Sequence, residues 1–272
     1  MKRPQRKYIF PYALAAFWSL LIVMPLVWML LASFKTRREI FLDPLGLPAQ
    51  FSFDNFVRAW DVGIGMFMLN SFIAVSLSVL VIVLLSAMAA YVLARSESRL
   101  AKLVYLLVVA CFAVPLTAVL VPLYQMLSAA GLLNSQLAIV LPYSAYGIPF
   151  TTMLFYAFFL DFPKELEEAA RLDGCNQFQI FFRIIIPLSG PVVASAAIFQ
   201  AVFGWNEFLL ASLMLTNTDV KTLPVGIIQL KGEYASDWPA VMAGLSLATI
   251  PMLLIFILAQ KYFVRSLAGL GK

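Results

Sequence analysis

Apolar residues fall in six long runs separated by shorter polar stretches. Ile9 to Phe34 is nearly uninterrupted, and the others occupy Phe67 to Leu93, Leu103 to Leu127, Leu137 to Leu160, Pro191 to Leu215 and Val241 to Phe263. Each is long enough for the roughly 20 residues with which a helix crosses a bilayer. The absence of period-two alternation argues against a membrane β-barrel. The pattern therefore predicts an all-α integral membrane protein with six transmembrane helices. A signal peptide competes for the first run, but its apolar region would be only about 7 to 15 residues, so an uncleaved first helix is expected. Pro25, Pro115, Pro122, Pro142, Pro149 and Pro251 lie within the runs and are expected to act as packing kinks. Lys35 to Gly65 reads as an extramembrane loop with one short helix near Phe53 to Trp60.

One polar stretch is unlike the rest. Asp161 to Pro187, DFPKELEEAARLDGCNQFQIFFRIIIP, is a charged island between two apolar runs. Asp161 is a capping residue type, Pro163 suits a first turn, and Glu165, Glu167 and Glu168 set negative charge at the positive end of a helix dipole. Gly174, without a Cβ, suits the left-handed residue that ends a helix, and Asn176 with Gln179 reads as a capping box for the next. A helix, a tight turn and a second helix are predicted. Leu166, Ala169, Ala170 and Asp173 share one face of the first, where the two alanines leave room for a foreign surface.

Composition and charge narrow the class. The chain is 62% hydrophobic and only 12% charged, and it contains no histidine. His-based acid–base catalysis and His-ligated metal sites are thereby excluded. Cys111 and Cys175 fall in an apolar run and in the island, which gives no disulfide framework. The net charge of +5 resides at the ends of the runs, which fits membrane topology better than nucleic-acid binding. Six spans put both termini on one side. That side collects Lys2, Arg3, Arg6, Lys7, Arg95, Arg99, Lys102, Lys164, Arg171, Arg183, Lys261, Arg265 and Lys272; the other has Lys35, Arg37, Arg38, Arg58, Lys221 and Lys231. The bias predicts cytoplasmic termini and a cytoplasmic island. No GxxxxGK[ST] phosphate-binding loop is present.

Glu168, Ala169 and Ala170, followed by Gly174, Ile184 and Pro187, match the EAA signature of ABC importer permeases, with Ile186 where leucine is usual. The second half resembles the carbohydrate, maltose-type branch of that family. Its residues are Trp205, Asn206 and Glu207 in FGWNEFLLASLML, the LPVG of Leu223 to Gly226, Gly232 and Trp238 in KGEYASDWPAVMAG, and Gln260 to Val264; Ser266 departs from a usual glycine. Asn70, Ser71 and AAYVLAR, from Ala89 to Arg95, agree with the broader pattern. The resemblance implies a type I ABC importer permease fold. It assigns 67–263 to the transmembrane domain, with a coupling loop at 161–190, and leaves 1–66 as tail, first helix and external loop and 264–272 as a cytoplasmic tail. It further implies a multi-pass subunit of a bacterial or archaeal cell membrane that pairs with a second permease as a heterodimer. Two cytoplasmic ABC ATPase subunits would bind the ATP and Mg, an extracytoplasmic sugar-binding protein would deliver the sugar, and this chain would hold no catalytic residue or cofactor. Glu168, Ala169, Ala170, Asp173, Gly174 and Pro187 would form the ATPase-docking loop.

Two further groups are candidates. Trp205, Asn206 and Glu207 are expected about 12 to 15 Å inside the outer end of their helix, either beside the translocation path or tying helices together. Thr216 to Pro239 is expected to meet the binding protein through Lys231, Glu233, Tyr234 and Trp238, with Trp238 equally suited to a belt at the bilayer surface. Asn70, Gln125, Tyr143, Tyr146 and Gln200 offer polar and aromatic groups for a sugar path. The alternative is an ion-coupled secondary transporter, for which Glu207 is the one clear intramembrane carboxylate. An intramembrane enzyme fares worse, lacking histidine, a metal-ligand cluster and a carboxylate pair within the runs.

Overall fold

A computed structural model describes residues 9–231 and 237–269, and all regular structure among them is helical. The helices are α1 (Ile9–Ala32), α2 (Arg37–Leu42), α3 (Asp54–Asp61), α4 (Ile64–Arg95), α5 (Arg99–Phe112), α6 (Leu116–Ala129), α7 (Leu137–Leu160), α8 (Glu165–Leu172), α9 (Gln177–Ile180), α10 (Ile186–Leu188), α11 (Gly190–Asn206), α12 (Leu209–Met214), α13 (Leu223–Ile227) and α14 (Trp238–Gly269). A π-helical turn, Phe181–Ile185, joins α9 to α10.

Four helices, α1, α4, α7 and α14, each carry an apolar stretch long enough to cross a bilayer. Two bent pairs raise the number to six when each counts as one span: α5 with α6 at 97°, and the helix ending at Leu188 with α11 at 78°. Pro115 accounts for the first bend. It lacks an N–H and disfavours helix at the residue before it, and it opens α6 from an extended geometry, φ −70° and ψ 136°. Pro115 is thus a break instead of the expected packing kink, whereas Pro25, Pro122, Pro142, Pro149 and Pro251 stay inside continuous helices. At the second bend the Ser189 hydroxyl donates to the Ile185 carbonyl at 2.6 Å, closing the preceding helix. The apolar run from Pro191 to Leu215 is also broken, because α11 ends at Asn206 and α12 begins at Leu209.

The chain forms two compact units. The first combines the described residues of Met1–Gly65 and Gly226–Pro251. Here α1 is apolar all round and exposed along most of its length, as suits a lipid-facing helix. Its end is fastened by Lys35, 2% exposed, whose ammonium donates to the carbonyls of Asp43 at 2.7 Å and Pro44 at 3.2 Å. Asn55 Nδ2 adds bonds to the carbonyls of Ser33 and Lys35. The short helix expected near Phe53 to Trp60 is α3. A second one, α2, was not anticipated, although Thr36 and Glu39 open it with a reciprocal capping box.

The second unit comprises Met66–Val225 and the described residues of Met252–Lys272. Its spine is α7, about 36 Å long at 1.5 Å per residue and buried repeatedly from Ala138 to Phe159. One apolar cluster, with Ala87, Ala90, Phe155, Phe159, Ala170, Ile180 and Ile185, surrounds the C-terminal part of α7. Another, with Leu127, Ile139, Leu210, Ala211 and Met214, surrounds its N-terminal part. Between them Gly147 permits close packing, since a Cβ there would lie 2.4 Å from Ile82 Cδ1 and 2.9 Å from Gln200 Oε1.

Candidate functional site

The charged island folds as helix, turn and helix. Asp161 does not cap the first helix as expected; it ends α7, and α8 starts at Glu165 with no side-chain cap. The N-cap position of α8 is Lys164, three residues beyond Asp161, so Asp161 is too early in the chain to cap it. The acidic first turn carries Glu165, Glu167 and Glu168. Gly174 has φ +83°. The Cys175 N–H returns to the Ala170 carbonyl and the Gly174 N–H to the Arg171 carbonyl, each at 3.0 Å, which is the Schellman closure of a helix. A Cβ added at Gly174 would meet nothing within 4 Å, so only the backbone conformation demands glycine. Asn176 Oδ1 accepts the Gln179 N–H at 2.9 Å and Gln179 Oε1 accepts the Asn176 N–H at 2.8 Å, the predicted capping box.

The two faces of α8 differ sharply. Glu167 and Ala170 are buried, while Glu165, Leu166, Glu168, Ala169, Leu172 and Asp173 are exposed, Leu172 at 90%. The predicted outward face of Leu166, Ala169, Ala170 and Asp173 therefore loses Ala170. Its small side chain packs inward in the cluster of Phe159, Ile180 and Ile185, one step along the helix from Glu167. Pro187 is exposed at the end of the island.

Sequence reasoning missed the residues that hold this helix. Glu167, 3% exposed, accepts from Arg95 Nε at 2.7 Å and from the Tyr91 hydroxyl at 2.8 Å. Arg95 also donates to the carbonyls of Phe159 at 2.5 Å and Phe162 at 3.0 Å. The available signal was an arginine closing an apolar run with a tyrosine four residues before it, on the same helix face. Its acidic partner lies 72 residues away, beyond the reach of any local pattern.

The second candidate group divides. Glu207 does not lie within a helix: it ends α11 in an extended conformation, 8% exposed. Its carboxylate accepts the N–H groups of Leu210 at 2.8 Å and Ala211 at 3.2 Å and the Tyr143 hydroxyl at 2.8 Å. It thus caps α12 and joins the break to α7. These donors offset the cost of burying the carboxylate. Asn206 is exposed and donates to the Val202 carbonyl of its own helix. Trp205 is buried.

Other polar groups of the spans are also engaged. Gln200 donates to Thr151 Oγ1 at 2.8 Å and to the Gly147 carbonyl. Asn70 Nδ2 holds the Asp219 and Lys221 carbonyls, and Ser71 Oγ accepts the Leu223 N–H. A cavity of about 760 Å³ opens between the α5–α6 bend, α7 and α11, lined by Phe112, Tyr146, Phe150, Phe199, Phe203 and Gln200 among others. Trp238 is half-buried at the start of α14. Glu233, Tyr234 and the side chain of Lys231 lie outside the described residues.

Known proteins share this architecture and sequence. The family described as binding-protein-dependent transport system inner membrane component matches residues 82–269. The probable ABC transporter permease protein YurM of Bacillus subtilis is 38% identical over 96% of this chain and 85% of its own length. The diacetylchitobiose uptake system permease protein NgcG of Streptomyces coelicolor is 35% identical over 94% of this chain and 86% of its own. In fold, a chain from the crystal structure of a bacterial ABC transporter involved in import of the acidic polysaccharide alginate superposes with TM-score 0.83 at 20% identity, covering 97% of this chain and 100% of that one. With the family match extending from within α4 to the end of α14, this chain belongs to the inner-membrane components of binding-protein-dependent transport systems, the permease subunits of ABC importers.

Proposed function

We propose that this chain is the permease subunit of an ATP-driven importer of a sugar or oligosaccharide and forms half of a heterodimeric pore. The observation that carries the reading is α8, a helix locked on its inner face and bare on its outer one, where Leu172 is 90% exposed. Leu166 and Leu172, both exposed with Ala169 between them, form an apolar strip among the acids Glu165, Glu168 and Asp173, the kind of contiguous surface a docking partner covers. That partner is one of two cytoplasmic ATPase subunits, which hydrolyse ATP with Mg in trans. Glu168 offers a carboxylate to a basic residue of the ATPase, while Gly174 sets the turn. Ala169, Asp173 and Pro187 complete the contact, and Ala170 supports it from within. The termini and α8 are cytoplasmic, by the bias of basic residues. The segment carrying Lys231, Glu233, Tyr234 and Trp238 meets an extracytoplasmic sugar-binding protein.

The sugar class rests on relatives such as the diacetylchitobiose permease and on the maltose-type sequence of the second half. Rings around the 760 Å³ cavity provide the apolar faces on which sugars stack. Ion-coupled transport finds no support, and the carboxylate proposed for it, Glu207, is occupied by three donors. Proteoliposomes holding the assembled complex should take up a labelled oligosaccharide only with ATP and the binding protein, and ionophores should leave the rate within twofold. Uptake driven by an ion gradient without ATP would overturn the assignment.

A further inference from the structure

Three elements of the second unit meet at one buried ion pair. Arg95 is the last residue of α4. Its Nε and Nη2 both contact Glu167 Oε1 of α8 at 2.7 Å, and its remaining bonds go to the carbonyls of Phe159 and Phe162 at the end of α7. Phe159 lies in the last turn of α7 and Phe162 two residues beyond its end, so the guanidinium sits at a helix C-terminus, whose dipole favours a cation. Tyr91, one turn earlier on α4, holds the second oxygen of Glu167 at 2.8 Å. Its ring packs edge-on against Phe159 and tilted against Phe181 of the π-helical turn.

A buried ion pair is a poor source of stability, because desolvation offsets most of the attraction and apolar residues often serve as well. What the planar guanidinium supplies is direction: several donors in one rigid fork fix the relative placement of the groups they touch. Here the fork fixes α8 against α4 and α7 together. Without it, the link from α7 to α8 is the short segment between Leu160 and Glu165, which could absorb a push on α8 by bending.

We infer that Arg95, Glu167 and Tyr91 form the joint through which displacement of α8 moves the spans α4 and α7. The inference rests on α8 as the ATPase-docking helix. These three are positioning residues, since Glu167 is buried against Arg95 and Tyr91, on the face of α8 opposite the exposed Glu165, Glu168 and Leu172.

The assembled complex of both permeases, the ATPases and the binding protein tests the joint. Glu167→Gln should keep ATPase retention and basal hydrolysis within twofold of wild type. Stimulation of hydrolysis by sugar-loaded binding protein should fall about tenfold, and sugar imported per ATP should fall with it. Arg95→Lys, which keeps the charge and loses the fork, should show the same split. Tyr91→Phe leaves the ion pair intact and should lower stimulation about threefold, and it serves as the probe if a charge variant fails to assemble. Unchanged stimulation in Tyr91→Phe and in every assembled variant at Arg95 or Glu167 would overturn the joint, as would parallel loss of basal and stimulated hydrolysis. Glu168→Ala separates this outcome from failure of the docking reading. If it weakens ATPase retention while the Glu167→Gln complex stimulates normally, only the joint is wrong; if both are silent, docking through α8 is wrong.

Discussion

Asn134 is the one non-glycine residue with positive φ among the described residues, at +59°. Its side chain explains the conformation. Asn134 Oδ1 accepts the N–H of Thr216 at 2.7 Å, the N–H of Asn217 at 2.8 Å and the Thr216 hydroxyl at 3.1 Å. Asparagine tolerates the left-handed region better than most residues, and here the strain is exchanged for three bonds that hold the chain after α12. Asn134→Ala should be the worst replacement. It loses bonds worth about 1 kcal/mol each and leaves a Cβ in the left-handed region with nothing to offset its strain. Asn134→Gly should lose the same bonds but shed that strain, and Asn134→Asp, which keeps the acceptor, should lose least. Hydrogen exchange at the Thr216 and Asn217 amides reads this order; wild-type protection in Asn134→Gly would show that the side chain holds nothing. By contrast Gly174 was legible, because its requirement is local: a helix-ending glycine followed by Asn176 and Gln179.

Elements made by local rules were readable from sequence, and those made across the chain were not. The turn from α8 to α9 needs only adjacent residues; the capping box of α2 is equally local, although α2 was not anticipated. The break between α11 and α12 is different, because the run from Pro191 to Leu215 is apolar on both sides of the polar pair Asn206 and Glu207 and so reads as one segment. What ends α11 is the carboxylate taking two N–H groups of the next turn, an alternative to the helical ladder that short polar side chains offer. The bend at Pro115 was visible as a proline and misjudged in degree, since sequence does not say whether neighbours satisfy the freed carbonyls. Tyr143 is the test of the break. Removing its hydroxyl deletes a hydrogen bond to a charged group, worth about 1.5–3 kcal/mol, and Glu207→Ala should destabilise more because the N–H groups of Leu210 and Ala211 are then bare as well. The effects should not add. In a Glu207→Ala background, Tyr143→Phe should change unfolding by less than about 0.5 kcal/mol in a double-mutant cycle, whereas additivity would mean that the contact carries no energy.

At the scale of the whole molecule, helical class, six apolar runs and the importer family were all legible, because hydropathy and the EAA pattern are properties of the chain itself. The inward lock on α8 was not, since it joins residues far apart in sequence. The proposed orientation and the proposed docking rest on separate observations: basic residues gathered at one set of span ends, and a short helix with one bare face. A single labelling measurement joins them. In a chain whose Cys111 and Cys175 are replaced, cysteine is introduced by Ala169→Cys on the outer face of α8 or by Asn217→Cys after α12, both at exposed positions. An impermeant thiol reagent should label the Asn217 position in intact cells and spare the Ala169 position. In inverted vesicles the Ala169 position should react, and bound ATPase subunits should protect it at least tenfold. Labelling of the Ala169 position from outside the cell, or equal reactivity there with and without the ATPase, would contradict a permease that couples to its motor through α8.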